Sequence, residues 1–115
     1  MKRKRVLIID DEQSLLESLE MFFSDSGYEV ACAGNGREGY ERASAFLPDV
    51  IILDIRLPDQ DGFSVLEALR RRNESTPIIM ITAFHDMETT IRTVKLGAFE
   101  YIPKPIDVDE LERAV

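Results

Sequence analysis

The sequence predicts an α/β domain in which five parallel strands form one doubly wound sheet with helices on both of its faces. Short apolar runs alternate along the chain with longer segments whose apolar residues recur at helical spacing. The short runs lack polar alternation, which is typical of strands buried on both faces. Repeated strand–helix units of this length favour a parallel sheet with right-handed crossovers.

The first half of the chain carries three of the predicted strands, at residues 5–9, 28–33 and 50–53. The first helix runs from Glu12 to about residue 26, where Gly27 is suited to end it. Residues 34–36 form a turn, and a helix with a weaker apolar stripe follows at residues 37 to about 46. The proline and aspartate at residues 48 and 49 separate that helix from the third strand.

The second half begins with a loop of turn-forming residues at 57–62. The remaining predicted elements are a helix ending near residue 72, a strand at 77–81, a helix at 87–96, a strand at 99–102 and a helix after Asp107. Gly97 is suited to end the fourth helix, and Asp107 with Glu110 has the form of a capping box. The fifth helix spans only about two turns and would bury little apolar surface. We therefore expect residues 1–115 to be one domain taken from a longer protein, with its last helix cut short.

The composition excludes several classes of protein. The formal net charge is −8, which argues against binding of nucleic acid, because phosphate backbones require lysine and arginine. The basic residues 1–5 are interpreted as a solvated lead-in to the first strand, since only four apolar residues follow them, too few for a signal peptide. No apolar run approaches the roughly 20 residues needed to span a bilayer. Cys32 is the only cysteine, so no internal disulfide forms and a reducing cytoplasm is expected.

Polar side chains stand where four of the predicted strands end. Asp10 and Asp11 follow the first strand, Asp54 the third, Thr82 the fourth, and Lys104 comes shortly after the fifth. Because the carboxyl ends of parallel strands meet at one edge of the sheet, these side chains are expected to lie together there.

The chemistry of this set points to a magnesium and phosphoryl site. Mg²⁺ takes oxygen ligands, often one or two carboxylates together with a substrate phosphate. A carboxylate can also act as a nucleophile toward phosphorus, provided that nearby positive charge offsets the repulsion between two anions. The ammonium of Lys104 and the hydroxyl of Thr82 can each hold a phosphoryl oxygen.

Each residue also has an ordinary interpretation. Asp10 and Asp11 could cap the first helix, where its dipole favours anions. Asp54 could be a loop acid, Thr82 a plain strand-end residue, and Lys104 a solvated lysine. Convergence of all of them on one sheet edge favours the functional interpretation.

Four segments of the chain resemble the receiver domain of two-component response regulators. The segments are Leu-Ile-Ile-Asp-Asp-Glu at 7–12, Asp-Ile-Arg-Leu-Pro-Asp-Gln-Asp-Gly at 54–62, Ile-Thr-Ala at 81–83 and Gly-Ala-Phe-Glu-Tyr-Ile-Pro-Lys-Pro at 97–105. The resemblance covers essentially all of residues 4–115. It implies the flavodoxin-like fold with strand order 2-1-3-4-5.

The resemblance also implies a role for each acidic residue. Asp54 would accept a phosphoryl group from a histidine kinase. Asp11 would bind Mg²⁺ directly, Asp10 directly or through water, and the backbone carbonyl of Arg56 would complete the protein ligands together with Asp54. The domain would catalyse only its own phosphotransfer and dephosphorylation, and so would be a regulatory phosphoacceptor rather than an enzyme with external substrates.

Thr82, Lys104 and Tyr101 would couple the phosphoryl group to the rest of the domain. In the family Thr82 and Lys104 hold the phosphoryl group, and Tyr101 turns inward when Thr82 moves toward it. A half-buried strand aromatic is the ordinary interpretation of Tyr101. The Lys104–Pro105 bond is expected to be cis.

Residues 82–111 most resemble receivers of the nitrogen-regulation class, which usually precede an ATPase module acting on sigma-54 polymerase and a DNA-binding helix-turn-helix. The output face would be helix 4, strand 5 and helix 5, acting through dimerisation or through contact with the downstream effector. Phe84 is expected to shield the acyl phosphate from water, and His85, the only histidine, to be solvated.

Three other functions are weighed. A phosphatase of the haloacid-dehalogenase type needs Asp-x-Asp on strand 1, where this chain has Asp10, Asp11 and Glu12. A pseudo-receiver that uses the fold only for contacts usually lacks the acceptor or the lysine. A flavodoxin needs a Ser/Thr-rich phosphate loop after strand 1, and this chain has none.

Overall fold

A computed structural model describes residues 3–72, 75–83 and 87–115. The strands are β1 (Arg5–Ile9), β2 (Glu29–Ala33), β3 (Val50–Asp54), β4 (Ile78–Thr82) and β5 (Glu100–Pro103). The helices are α1 (Gln13–Asp25), α2 (Gly36–Phe46), α3 (Gly62–Arg72), α4 (Met87–Lys95) and α5 (Val108–Ala114). All neighbouring strands are parallel, in the order β2-β1-β3-β4-β5, which confirms the predicted fold and strand order.

Strand β1 shows how the sheet is buried on both faces. Leu7 and Ile9 belong to the core under α2 and α3, whereas Val6 and Ile8 belong to the core under α1 and α5. All of these side chains are inaccessible to solvent. Since full burial of one such side chain stabilises a fold by about 1.5–3 kcal/mol, the two layers hold the sheet edge that carries the polar residues.

Strands β3 and β4 each extend one residue further than the apolar pattern indicated. Asp54 pairs with Ile81, and Thr82 pairs with Pro103, so both polar residues are the last residues of their strands rather than the first residues of loops. Ladder pairing with the neighbouring strand, which no local pattern reveals, decides these ends.

The predicted helix ends are largely confirmed. Gly27 and Gly97 have φ angles of +96° and +90°, and a residue without a Cβ takes that conformation at the end of a helix without strain. Asp107 caps α5 by accepting hydrogen bonds from the N–H groups of Asp109 at 3.0 Å and Glu110 at 3.3 Å. Within the described ranges, no helix has the length and apolar character to cross a bilayer.

Candidate functional site

The carboxyl ends of β1, β3 and β5 bring Asp10, Asp11, Asp54 and Lys104 together. Carboxylate oxygens of the three aspartates all lie within 4.8 Å of one another. Lys104 Nζ lies 3.0 Å from Asp10 Oδ2 and 3.2 Å from Asp54 Oδ2. The structure thus places at one point the residues that the sequence assigned to one edge of the sheet.

Asp10 is fully buried, and only one of its oxygens has a hydrogen bond within the described part of the chain. Oδ1 accepts a hydrogen bond from the N–H of Glu12 at 2.9 Å. Glu12 stands at the N-cap position of α1, so Asp10 binds the chain ahead of the helix and does not occupy the cap itself. Oδ2 has the ion-pair contact with Lys104 but no hydrogen-bond geometry.

Burial and charge disfavour the ionised form of Asp54. Its pKa is raised to about 6, because burial penalises the carboxylate and the negative Asp10 adds to that effect. Lys104 and the N–H of Arg56, which donates to Asp54 Oδ1 at 3.3 Å, partly offset it. With only 5% of its surface exposed, Asp54 is not an ordinary loop acid.

Both the backbone and the side chain of Lys104 make contacts that fix its position. Its N–H donates to the carbonyl oxygen of Thr82 at 2.7 Å, and its side chain is only 17% exposed. Burial alone would lower the pKa of Lys104, but its contacts with Asp10 and Asp54 outweigh burial and raise it. The Lys104–Pro105 bond is cis, as the resemblance implied. Lys104 is therefore a fixed internal cation and not a solvated lysine.

Glu12 is a further acid near this lysine, to which the sequence assigned no role. Its Oε1 lies 3.7 Å from Lys104 Nζ, and its side chain is 57% exposed. In the sequence, only its position directly after the two aspartates indicated that Glu12 would lie near the site. At that distance and exposure, its contribution to holding Lys104 is small.

Thr82 and Tyr101 lie on the neighbouring strands β4 and β5. Thr82 is fully buried at the end of β4, and Tyr101 pairs with Met80 in the middle of β5. Tyr101 is half-buried and packs against the core under α2 and α3. This position suits both the switch and the ordinary interpretation. The predictions for Phe84 and His85 lie outside the described residues.

The loop between β3 and α3 closes tightly over the end of β3. Arg56 and Asp61 form an isolated antiparallel bridge, and the N–H of Gly62 donates to the carbonyl oxygen of Ile55 at 2.6 Å. A Cβ on Gly62 would lie 2.4 Å from the carbonyl oxygen of Asp54. Only glycine fits there, which the sequence alone did not reveal.

An open cavity of about 330 Å³ lies over this cluster. It is lined by Asp11, Asp54, Arg56, Leu57, Pro58, Ala83 and Lys104. A larger cavity of about 600 Å³ lies at the amino ends of β3 and β4, and the charged residues in its lining are Asp49 and Arg72, not a cluster of carboxylates. There Asp49 accepts a hydrogen bond from the N–H of Arg5, and the Arg72 guanidinium lies over the ring of Tyr40. Chemistry, rather than size, identifies the cavity over β3 as the candidate site.

The residues present fit a hard divalent cation. Three carboxylates converge, with oxygens all within 4.8 Å of one another, and carboxylate oxygens are the ligands that such ions take. Asp10, Asp11 and Asp54 are the side chains that would hold such an ion.

Comparison with known sequences points to one family. The profile of the response regulator receiver domain matches residues 6–115. The regulatory protein AtoC of Escherichia coli K12 is 40% identical over 111 residues, which is 96% of this chain and 24% of that protein. The DNA-binding transcriptional regulator NtrC of the same strain is 35% identical over 119 residues, covering 100% of this chain and 25% of NtrC. This match confirms the expected likeness to the nitrogen-regulation class. The chain spans about a quarter of the length of these curated relatives.

Solved structures agree in fold. A CheY-like receiver domain protein of Methanospirillum hungatei superimposes with a TM-score of 0.92 at 32% identity, covering 97% of this chain and 90% of that one. The receiver domain of the Francisella response regulator 1452 gives a TM-score of 0.91 at 32% identity, covering 97% of this chain and 93% of the other.

Proposed function

Because the chain belongs to the response regulator receiver domain family, we propose that it is a phosphorylation switch that accepts a phosphoryl group on Asp54 from a histidine kinase. The observation that carries this proposal is the contact of Lys104 with both Asp10 and Asp54 over an acidic cavity. An internal cation beside a buried nucleophile is what transfer of an anionic group to a carboxylate requires.

Asp54 supplies the nucleophilic oxygen in this proposal. The oxygen attacks phosphorus, the bond from phosphorus to the donor nitrogen breaks, and the donor histidine leaves with its electron pair. Lys104, 3.2 Å from Asp54 Oδ2, is placed to hold a phosphoryl oxygen, and the Thr82 hydroxyl would donate to another. Mg²⁺, held by Asp10, Asp11, Asp54 and the backbone carbonyl of Arg56, would neutralise charge on the phosphoryl oxygens.

The phosphoryl group would then act on the output face. Thr82 moves toward it, and Tyr101 turns inward on the neighbouring strand. The output face would comprise α4, β5 and α5, through which the domain forms a homodimer or contacts an effector. Exposed apolar side chains on and just after α4 support this role: Ile91, Val94 and Phe99 are 47%, 67% and 62% exposed.

We also propose that residues 1–115 serve as the receiver part of a longer regulator, whose effector carries an ATPase module and a DNA-binding module. The support is the likeness to NtrC, which is called a DNA-binding transcriptional regulator, and the share of that protein that this chain covers, 25%. Control of transcription by activation of sigma-54 polymerase would be the output.

Intact mass spectrometry tests the proposal. Incubation with acetyl phosphate and Mg²⁺ is expected to add one phosphoryl group, which is lost at alkaline pH because an acyl phosphate hydrolyses there. The adduct is expected to require Mg²⁺ and to be absent from Asp54→Ala. A folded protein that forms no adduct would contradict the proposal and favour a receiver fold used only for contacts. An adduct that persists in Asp54→Ala would place the acceptor elsewhere.

A further inference from the structure

The tip of the loop between β3 and α3 is tied to the start of α2. Asp59 Oδ1 accepts a hydrogen bond from the N–H of Gly36 at 2.8 Å, and Oδ2 accepts one from the N–H of Arg37 at 3.0 Å. From this contact we infer that Asp59 is a positioning residue, which fixes the wall of the candidate site formed by Leu57 and Pro58.

The two ends of this contact fit each other chemically. The N-cap residue Asn35 accepts a hydrogen bond from the N–H of Glu38 at 2.8 Å, which leaves the N–H groups of Gly36 and Arg37 for Asp59. A carboxylate is also favoured at the positive end of a helix dipole. The hydrogen bonds from Arg37 and Gly36 lower the pKa of Asp59, so the carboxylate is ionised at neutral pH.

Gly36 allows the loop tip to sit this close to α2. A Cβ at position 36 would lie 2.6 Å from Cγ of Gln60, the residue after Asp59. The loop tip therefore packs directly on the first turn of the helix, so the contact involves packing as well as hydrogen bonds.

The base and the tip of the loop are held differently. The base is closed by the bridge between Arg56 and Asp61 and by the hydrogen bond from Gly62 to β3. The tip is held by Asp59, which lies 23 residues from Gly36 along the chain. Between base and tip lie Leu57 and Pro58, which line the cavity with Asp54 and Lys104.

This geometry gives Asp59 an effect on a site it does not touch. The inference rests on the proposed function, in which the carbonyl of Arg56 is a ligand of Mg²⁺. If the tip is released, Leu57 and Pro58 lose their outer anchor, and the carbonyl of Arg56 is then positioned toward the ion by the bridge with Asp61 alone. Contacts made directly to metal ligands change metal affinity by about 10–100-fold, and since Asp59 acts one step further out, an effect at the lower end of that range is expected.

Mg²⁺ binding separates this role from a general loss of stability. We expect Asp59→Ala to raise the Kd for Mg²⁺ by about tenfold in calorimetric titration at pH 7.5. The matched control is Asn35→Ala, which removes the other side-chain cap of α2 and leaves the loop tied. Because each substitution removes one side-chain cap of α2, the urea midpoints of Asn35→Ala and Asp59→Ala are expected to fall by similar amounts. The Kd of Asn35→Ala for Mg²⁺, in contrast, is expected to stay within about twofold of wild type. Asp59→Asn keeps one acceptor oxygen, and its Kd is expected to lie between those of wild type and Asp59→Ala.

The outcomes separate the inference from the proposed function. An unchanged Kd in Asp59→Ala, or an equal rise in Asn35→Ala, overturns the role of Asp59 while wild type still forms the phosphoryl adduct. If Asp59→Ala does not fold, an unchanged Kd in Asp59→Asn overturns it instead. A wild-type protein that neither binds Mg²⁺ nor takes a phosphoryl group on Asp54 contradicts the proposed function, and the inference falls with it.

Discussion

The candidate site and the α4–β5 side of the domain depart in opposite ways from the usual distribution of side chains, in which charged residues are exposed and apolar residues are buried. At the site, Asp10 and Asp54 are buried, although charged residues are rarely inside. On the α4–β5 side, Val94 and Phe99 are more than half exposed, although large apolar residues are usually inside. One region holds buried charge that is paired with Lys104, and the other shows apolar surface that a partner can cover.

The two regions also differ in how they are held. Every residue of β3 is buried, whereas two of the four residues of β5 are exposed. Of the α4 side chains that the structure describes, only Thr93 is buried. On the side facing α3, the guanidinium of Arg92 lies 4.3 Å from the centre of the Phe63 ring. Just after α4, the carbonyl oxygen of Gly97 accepts a hydrogen bond from Arg70 Nε at 2.9 Å. A cation–π contact to an exposed arginine contributes only about 0.5–1 kcal/mol, which is less than the burial that holds a core strand such as β3.

The largest expected effect comes from removing the cation of the site. Lys104→Ala leaves Asp10 and Asp54 buried side by side without their positive partner, and we expect the free energy of unfolding to fall by about 3 kcal/mol in EDTA at pH 7.5. Urea denaturation measures the loss. It should shrink toward pH 5, since Asp54, with a pKa of about 6, takes up a proton there.

Lys95→Ala is the matched control from the other region. Lys95 is an exposed residue of the last turn of α4, and its loss is expected to change the free energy of unfolding by less than about 0.5 kcal/mol. Equal losses in Lys104→Ala and Lys95→Ala would show that the buried site lysine contributes no more to stability than an exposed lysine of α4.

A smaller change in the free energy of unfolding, of opposite sign, is expected when the buried carboxylate is removed by Asp54→Asn. In the folded protein the pKa of Asp54 is about 6, above its ordinary value of 3.8, so the native state binds more protons between these two pH values. By linkage, this group makes wild type less stable as pH rises from about 4 to about 6, and Asp54→Asn lacks that loss. We expect the variant to be more stable by about 1–2 kcal/mol at pH 7.5 in EDTA, after allowance for solvent near the carboxylate.

The pH series decides this prediction. Urea denaturation of both proteins at pH 4, 5, 6 and 7.5 should show the difference opening with rising pH and nearly absent at pH 4. A variant less stable than wild type at pH 7.5 would mean that the ion pair with Lys104 outweighs the burial of Asp54. Saturating Mg²⁺ should narrow the difference, because it stabilises the wild-type carboxylates by binding.

The smallest effect on stability is expected on the apolar side. Val94→Ser should change the free energy of unfolding by less than about 0.5 kcal/mol, because the side chain is 67% exposed. Under the proposed output role, it should nevertheless weaken self-association of the domain in acetyl phosphate and Mg²⁺, measured by sedimentation velocity. Met21→Ser on α1, also at a position 67% exposed, is the control and should leave association unchanged. An equal effect of both substitutions would contradict an interface on α4.

The clustering of Asp10, Asp11, Asp54 and Lys104 could be predicted because it depends on sequence patterns that are local to each strand. Apolar runs followed by turn residues locate the strand ends, and parallel pairing brings all carboxyl ends to one edge. The extension of β3 to include Asp54 was not predicted, because it depends on pairing with Ile81 in another strand. The contact of Asp59 with Gly36 was missed for the same reason, since no local pattern joins a loop to a helix 23 residues away. The glycine at position 62 reads as an ordinary turn residue until the backbone beside it is seen.

The bridge that Lys104 makes to Asp10 and Asp54 means that the acidic cluster already has a resident counter-ion. An arriving divalent ion would not fill an uncompensated hole; it would take over carboxylates that another cation already serves. The attraction between the ion and the carboxylates is therefore offset in part by the ion pairs with Lys104 that binding weakens. We expect the affinity for a divalent ion to be lower than three carboxylates without the lysine would give.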